Sequence, residues 1–220
     1  DPSAVFKPPR REFPVMTRTV WVNADGDVGD WEARKRRVTA AIEAGADWVL
    51  VDEGDVGGVR VLGDVNVAAF RADADVIDDA ERDVEADAYF VGKGGEGDGT
   101  ISMPEEFSGS ADLTTLRRRD DRAQGAYVRV LGTEYEAFAE AAADDADFTV
   151  IVGEDWSIIP LENLIARVGE ETHLVAGATT AAEARTAFET LEIGADGVLL
   201  DSDSPDEIRG AVDARDAADR

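Results

Sequence analysis

The feature that most constrains this chain is an alternation. Short apolar, β-branched runs give way repeatedly to helical periodicity, the pattern of strands that each return through a helix. Thr19–Asn23 reads as the first strand, and Trp31–Ala44 as its helix, with Asp30 as N-cap and Gly45 as stop. Strands follow at 47–52, 65–70, Ala88–Val91, 126–131, Phe148–Val152, 173–176 and 198–200. Helices are expected over Val56–Leu62, 76–85, 113–122, 134–143, 180–191 and 205–217, the last capped by Ser204, and one opens at Pro160. The joint that leads back into a strand recurs as Glu43-Ala-Gly-Ala-Asp47 and Glu192-Ile-Gly-Ala-Asp196, with glycine ending the helix and a short return following it.

Eight such units in 220 residues match the count of a (βα)8 barrel of parallel strands, with an open doubly wound α/β sheet as the alternative. Either architecture places function at the carboxyl ends of the strands. The first fifteen residues hold four of the seven prolines and no apolar period, so 1–15 is expected to be a disordered leader. Met16 is expected as the natural start, with the leader a cloning or gene-calling remnant. Residues 16–220 then form the barrel domain.

Composition excludes several chemistries. With no cysteine there is no disulfide, thiolate metal site or cysteine nucleophile, and a single histidine, His173, rules out His-based triads and multi-His metal sites. No metal centre is expected. His173 begins a strand, at the wrong end of a barrel for catalysis, and reads as structural. A net charge of −27, with hydrophobic residues at 44%, describes a folded chain coated in acid. No basic stripe exists to meet nucleic acid or an anionic membrane, and no run has the length of a membrane span. The chain is expected in the cytoplasm of a cell with molar internal salt, acting on a small molecule.

The candidate site residues come from strand ends. Glu154 and Asp155 follow the run Phe148–Val152, and Lys93 follows Ala88–Val91 between glycines. These three are the candidate catalytic groups; a desolvated Lys93 could act as base or as imine former. Asn23 and Asp25 share a face at the end of the first strand, and Asp52, Glu53, Arg71 and Asp201 end others. Alternation in Tyr127-Val-Arg-Val-Leu131 turns Arg129 inward if the valines meet helices, where it needs an anionic partner from the protein or a substrate. Asn23, Asp25, Asp52, Arg71, Arg129 and Asp201 are the substrate-binding candidates. Gly92-Lys-Gly-Gly-Glu-Gly97 spells a dinucleotide fingerprint, but no helix can begin within it and Glu96 and Asp98 repel phosphate. It is expected to be a mobile loop over the barrel mouth.

Three stretches carry a resemblance. Trp21-Val-Asn-Ala-Asp25, Gly153-Glu-Asp-Trp-Ser-Ile-Ile-Pro-Leu-Glu-Asn-Leu-Ile-Ala166 and Glu189-Thr-Leu-Glu-Ile-Gly-Ala-Asp-Gly-Val-Leu-Leu-Asp201 resemble the N-terminal part of the archaeal type II 3-dehydroquinate synthases. The similarity runs from about Met16 to Arg220, and the part from Asp155 to Ala166 is its most specific piece. The resemblance implies an NAD-dependent enzyme of aromatic amino-acid biosynthesis. Its substrate is 2-amino-3,7-dideoxy-D-threo-hept-6-ulosonate, which is oxidatively deaminated and cyclised to 3-dehydroquinate. It brings no residue roles, so the site residues rest on barrel geometry. Members of that family continue into a β-rich C-terminal part where this chain stops, so a fragment or split gene product is expected, with the remainder as its partner. The rival expectations are a lysine-dependent aldolase or lyase barrel built on Lys93, and a non-catalytic fragment that binds a C-terminal partner chain.

Overall fold

The computed structural model describes residues 18–72, 84–118, 122–154, 160–168, 170–190 and 194–219. Its strands are β1 (Thr19–Asn23), β2 (Trp48–Asp52), β3 (Asn66–Phe70), β4 (Ala88–Val91), β5 (Ala123–Arg129), β6 (Phe148–Val152), β7 (His173–Ala178) and β8 (Gly197–Leu200). They pair in chain order, all parallel, and β8 returns to β1 with Val20 opposite Val198 and Val22 opposite Leu200. The sheet is therefore a closed barrel, and the open doubly wound alternative is excluded.

The helices of the described residues are α1 (Trp31–Ala44), α2 (Val56–Leu62), α3 (Ala111–Arg117), α4 (Thr133–Ala143), α5 (Leu161–Val168), α6 (Ala181–Glu189) and α7 (Pro205–Ala218). The expected caps are present. Asp30 accepts from the Ala33 N–H, Gly45 ends α1 at φ 85°, and Ser204 accepts from the Glu207 N–H. The leader and most of the helix expected over 76–85 lie outside the described residues.

Alternation along the strands divides the core into two layers. The outer face (Val20, Val22, Val49, Val51, Val67, Ile151, Leu174, Val198) packs against the helices. The inner face fills the barrel with aromatics, so it is a packed core and not a channel. Trp21 and Trp48 stack with ring centroids 4.5 Å apart, and Phe148 meets both edge-on at 5.2 Å. At the bottom, Thr19 Oγ1 accepts from Trp21 Nε1 and lies 2.9 Å from His173 Nε2. Burial holds the His173 imidazole below its ordinary value, against the opposing pull of Asp196 and Asp47. His173 is at the end expected of it.

One strand departs from the sequence reading. β5 was expected over 126–131 and instead spans Ala123–Arg129, leaving Leu131 exposed. The cause is Gly125, which reads as a strand breaker but pairs with Phe90 in the sheet. A Cβ at position 125 would lie 2.3 Å from the Phe90 ring, so the glycine is what admits that ring to the barrel interior.

The bottom of the barrel repeats one device four times. The residues just before the even-numbered strands are Ala46-Asp47, Ala86-Asp87, Ala146-Asp147 and Ala195-Asp196. Each aspartate accepts from a backbone N–H of the preceding odd strand: Val20 to Asp47, Val67 to Asp87, Gln124 to Asp147 and Leu174 to Asp196, all at 2.8–2.9 Å. The strand edges that start the barrel are thus satisfied pairwise by side chains.

Candidate active site

Asn23, Asp25, Asp52, Arg71, Lys93, Arg129, Glu154 and Asp201 lie at or just past the carboxyl ends of their strands, opposite His173, which opens β7. Gly92 follows β4 at φ +121°, and a Cβ there would sit 2.1 Å from the Tyr127 carbonyl oxygen. This turn re-aims the chain so that Lys93 reaches across the mouth. Its Nζ lies 3.0 Å from Asp52 Oδ1, 3.2 Å from Asp25 Oδ2 and 3.8 Å from Asp27 Oδ2, with the Phe70 ring centroid 5.3 Å away. Asp25 is buried at 6% exposure, just past β1, where its N–H meets Asn23 Oδ1 at 3.4 Å. Burial pushes the Asp25 carboxyl up, and Lys93 offsets only part of that. Burial alone would lower the Lys93 ammonium, but Asp25 and Asp52 outweigh it and hold it above its ordinary value. The cluster is a protonated lysine beside a buried carboxyl whose proton affinity is enhanced.

The other candidates are distributed around the rim. Arg129 donates to Glu154 Oε1 at 2.7 Å, so the inward guanidinium has a protein carboxylate as its partner. Glu154 is 76% exposed. Asp155 lies outside the described residues. Arg71 places its guanidinium 4.6 Å over the Tyr89 ring, and Tyr89 belongs to the outer layer. Asp201 is held by Arg37 of α1 at 2.5 Å; the same buried guanidinium also donates to the Asn23 carbonyl at 2.9 Å and to Asp203 at 2.7 Å. Arg37 thus ties β1 to the loop after β8 beneath the rim. Nothing in the sequence singled it out, because an arginine in a charge-rich helix reads as a solvated face.

Tyr127, on the inward face of β5, was noticed only as a neighbour of Arg129. Its ring meets Phe70 edge-on at 5.4 Å, and burial, with Asp25 adding to it, pushes its phenol up to about 12. It lines the larger mouth cavity, about 830 Å³, which runs from Asn23 and Asp201 outward between α5 and α6. A second cavity of about 580 Å³ lies over the β2–β4 side, beside Lys93, Arg71 and Asp98.

The glycine-rich segment 92–99 begins no helix, as the rejection of a dinucleotide fingerprint requires. Hydrogen bonds tie it to β5 and to α3 and lace it internally. Arg129 N–H donates to the Gly97 carbonyl at 2.8 Å, and the Asp98 carboxylate accepts from the Gly94 and Thr100 N–H groups. Glu96 caps α3 by accepting from the Ala111 N–H at 3.0 Å, and Asp112 accepts from the Gly97 N–H at 3.2 Å. Burial, with Glu96 adding to it against the Gly97 N–H, raises Asp112 to about 6. Burial also pushes Glu96 up, but the Ala111 N–H and other donors, Asp112 among them, outweigh it and the net shift is down. The loop expected to be mobile therefore carries its own lacing.

Carboxylates occupy the backbone donors around the mouth. Gly26 N–H goes to Asp52, Ala72 N–H to Glu53, Thr179 N–H and hydroxyl to Glu183, and Ala181 N–H to Glu207. In barrels of this kind the loops after the seventh and eighth strands commonly hold phosphate. Here the Thr179 and Ala181 N–H groups after β7 are engaged from within. No helix of the described residues is long and apolar enough to cross a membrane.

Comparison with solved structures gives the architecture again. Thiamine phosphate pyrophosphorylase from Pyrococcus furiosus superposes with a TM-score of 0.59 at 17% identity, over 92% of this chain and 97% of that one. Phosphoribosyl anthranilate isomerase from Thermotoga maritima gives 0.59 at 14%, over 92% and 100%. At such identity the likeness is one of fold. Sequence relatives are nearer. The 3-dehydroquinate synthase of Natronomonas pharaonis is 67% identical over 207 residues, covering 93% of this chain and 53% of its own length. That of Methanosarcina mazei is 44% identical over 200 residues, covering 90% and 50%. The chain thus spans about half the length of these curated relatives. Residues 17–215 match the family described as the 3-dehydroquinate synthase II N-terminal domain, and the chain belongs to that family.

Proposed function

We propose that this chain is the substrate-holding barrel of a type II 3-dehydroquinate synthase, with NAD as oxidant. On this reading the whole enzyme oxidatively deaminates 2-amino-3,7-dideoxy-D-threo-hept-6-ulosonate and closes the resulting dione to 3-dehydroquinate. The observation that carries the proposal is the family membership over 17–215.

The mouth residues suit the ring closure. The step removes a proton from the C7 methyl, and the C7 carbanion attacks the C2 carbonyl, whose oxygen takes up a proton. The C7–C2 bond forms as the C7–H bond breaks, and no oxidant is consumed. Asp25, buried and raised in proton affinity, is the acceptor. Lys93, an ammonium 3.2 Å from it, faces the C6 oxygen and stabilises the enolate. Arg129 anchors the substrate carboxylate by exchanging Glu154 for it. Tyr127 donates its high-lying proton to the C2 oxyanion.

The proposal is tested by following NADH and 3-dehydroquinate formation from the amino-keto acid in molar KCl. The chain is assayed alone and joined to the C-terminal half of a relative. Formation of both products by the joined protein is the expected outcome. Absence of both, with borohydride trapping an unrelated ketone on Lys93, would replace the synthase by a lysine-dependent aldolase.

A further inference from the structure

We infer that the diphosphate of the dinucleotide is held by the half of the full-length enzyme that this chain does not span, the barrel supplying only the substrate side of the site. The inference rests on the NAD-dependent reading above. A diphosphate is recognised by cationic side chains or by unengaged backbone N–H groups, above all at helix N-termini and in loops. Among the described residues, the donors seen at the two cavities are largely engaged, and Arg129, which gives up Glu154 in the proposed ring closure, is taken by the substrate carboxylate.

Among the described residues that line it, the larger cavity has four carboxylates, Glu154, Glu162, Glu183 and Asp201, and no lysine or arginine. The loop after β7 has already given its N–H groups at Thr179 and Ala181 to Glu183 and Glu207. The smaller cavity has Lys93 and Arg71 against Asp27, Asp52, Asp55 and Asp98; the Lys93 ammonium is bracketed by Asp25 and Asp52, the Arg71 guanidinium lies over the Tyr89 ring, and the adjoining Gly94 N–H is bound to Asp98. A phosphate entering either cavity lies against these carboxylates, and to reach Lys93 or the loop N–H groups it must first displace one. Molar salt does not remove this penalty, because charges in contact leave no room for a screening ion between them, and buried or partly buried pairs are screened much less than exposed ones. The misfit is therefore local and persists at any ionic strength. The chain covers 53% of the Natronomonas relative, which leaves a second half of similar length to supply the cations or open helix N-terminus.

The test is calorimetric titration of NAD into this chain and into the full-length Natronomonas relative, in molar KCl, with and without the amino-keto acid. Hydrogen exchange of the full-length protein with and without NAD accompanies it. We expect saturable binding by the full-length protein and affinity at least about a hundredfold weaker for this chain. NAD-dependent protection should fall in the C-terminal half and spare the backbone N–H groups that correspond to Gly94, Thr179 and Ala181. Saturable binding by this chain at comparable affinity, or protection at those three positions, overturns the inference and leaves the NAD-dependent reading standing. No binding by the full-length protein, with or without substrate, overturns both.

Discussion

Asp25 and Lys93 illustrate how one contact sets two proton affinities. Each is pushed by burial towards its neutral form, and their mutual attraction opposes that push; for Lys93 the second carboxylate, Asp52, tips the balance, whereas for Asp25 burial prevails. If the proposed function holds, then in the barrel joined to a relative's C-terminal half Asp25→Asn should cut 3-dehydroquinate formation by about a hundredfold or more while NADH formation continues. Equal losses in both products would show that Asp25 only shapes the mouth. A second test lies in the loop lacing. Asp112, raised to about 6, binds its proton more tightly in the folded chain than in the unfolded one. Folding is therefore favoured below the unfolded value, and that advantage is lost as pH rises from about 4 to about 6. Asp112→Asn can still accept from Gly97 and donate to Glu96, so it should gain on the parent by on the order of 1–2 kcal/mol between pH 4 and pH 7.5. Thermal melts at the two pH values check this; a constant difference counts against the shared proton. Lys93, Asp25 and Asp52 were legible because position at a strand end is a local property. The pairing of Glu154 with Arg129, the burial of Arg37 and the meeting of Glu96 with Asp112 were not. Each depends on which neighbouring strand or helix packs alongside, and that is decided by the closed sheet and not by spacing along the chain.

The strand–helix units were legible for a related reason: caps, stops and apolar runs act within a few residues. Two of the four joints at the barrel bottom were visible because they carry Gly-Ala-Asp, at Asp47 and Asp196. The other two, at Asp87 and Asp147, lack the glycine, and their common part, Ala-Asp, is too short to stand out in a chain rich in both residues. What unites the four is the hydrogen bond from the preceding odd strand, a fact of pairing that no single unit contains. The same locality explains the misplaced start of β5, since Gly125 is a breaker by propensity and a strand residue by virtue of the Phe90 ring opposite. Removing one joint leaves a backbone donor unsatisfied. Asp147→Ala should therefore cost about 1–3 kcal/mol, the range for leaving a buried donor unsatisfied. Asp47→Ala should cost more, because Asp47 also takes Arg215 Nη1 at 2.7 Å. Denaturant melts give both values. If Asp147→Ala costs no more than Glu162→Ala, at an exposed position of α5, the joints are ornaments of the fold and not fastenings.

The whole molecule carries 49 acidic residues against 22 basic ones, and many of those acids are engaged by caps, backbone N–H groups and ion pairs. Carboxylates that accept backbone N–H groups lower the energy of their own positions, but they do not cancel the net −27 that every part of the surface experiences. Unfolding lets these charges move apart, so their repulsion acts against the compact state and grows with its range. That range is about 10 Å at 0.1 M salt and about 3 Å at 1 M. Between those limits, neighbouring surface acids pass from mutually visible to largely screened. The Asp25–Lys93–Asp52 contacts, at 3.2 and 3.0 Å, leave no room for a salt ion between the charges and change little. Added KCl should accordingly raise the melting temperature steeply up to molar concentration and more gently beyond it. The Lys93 cluster, followed through the shift of its Nζ resonance, should remain as it is. Sucrose at matched osmolarity strengthens burial without screening charge, and should give the smaller rise. A melting temperature that is flat or falling in KCl, or that sucrose raises as much, would mean that the acidic coat is not balanced by salt, and the halophilic reading would go with it.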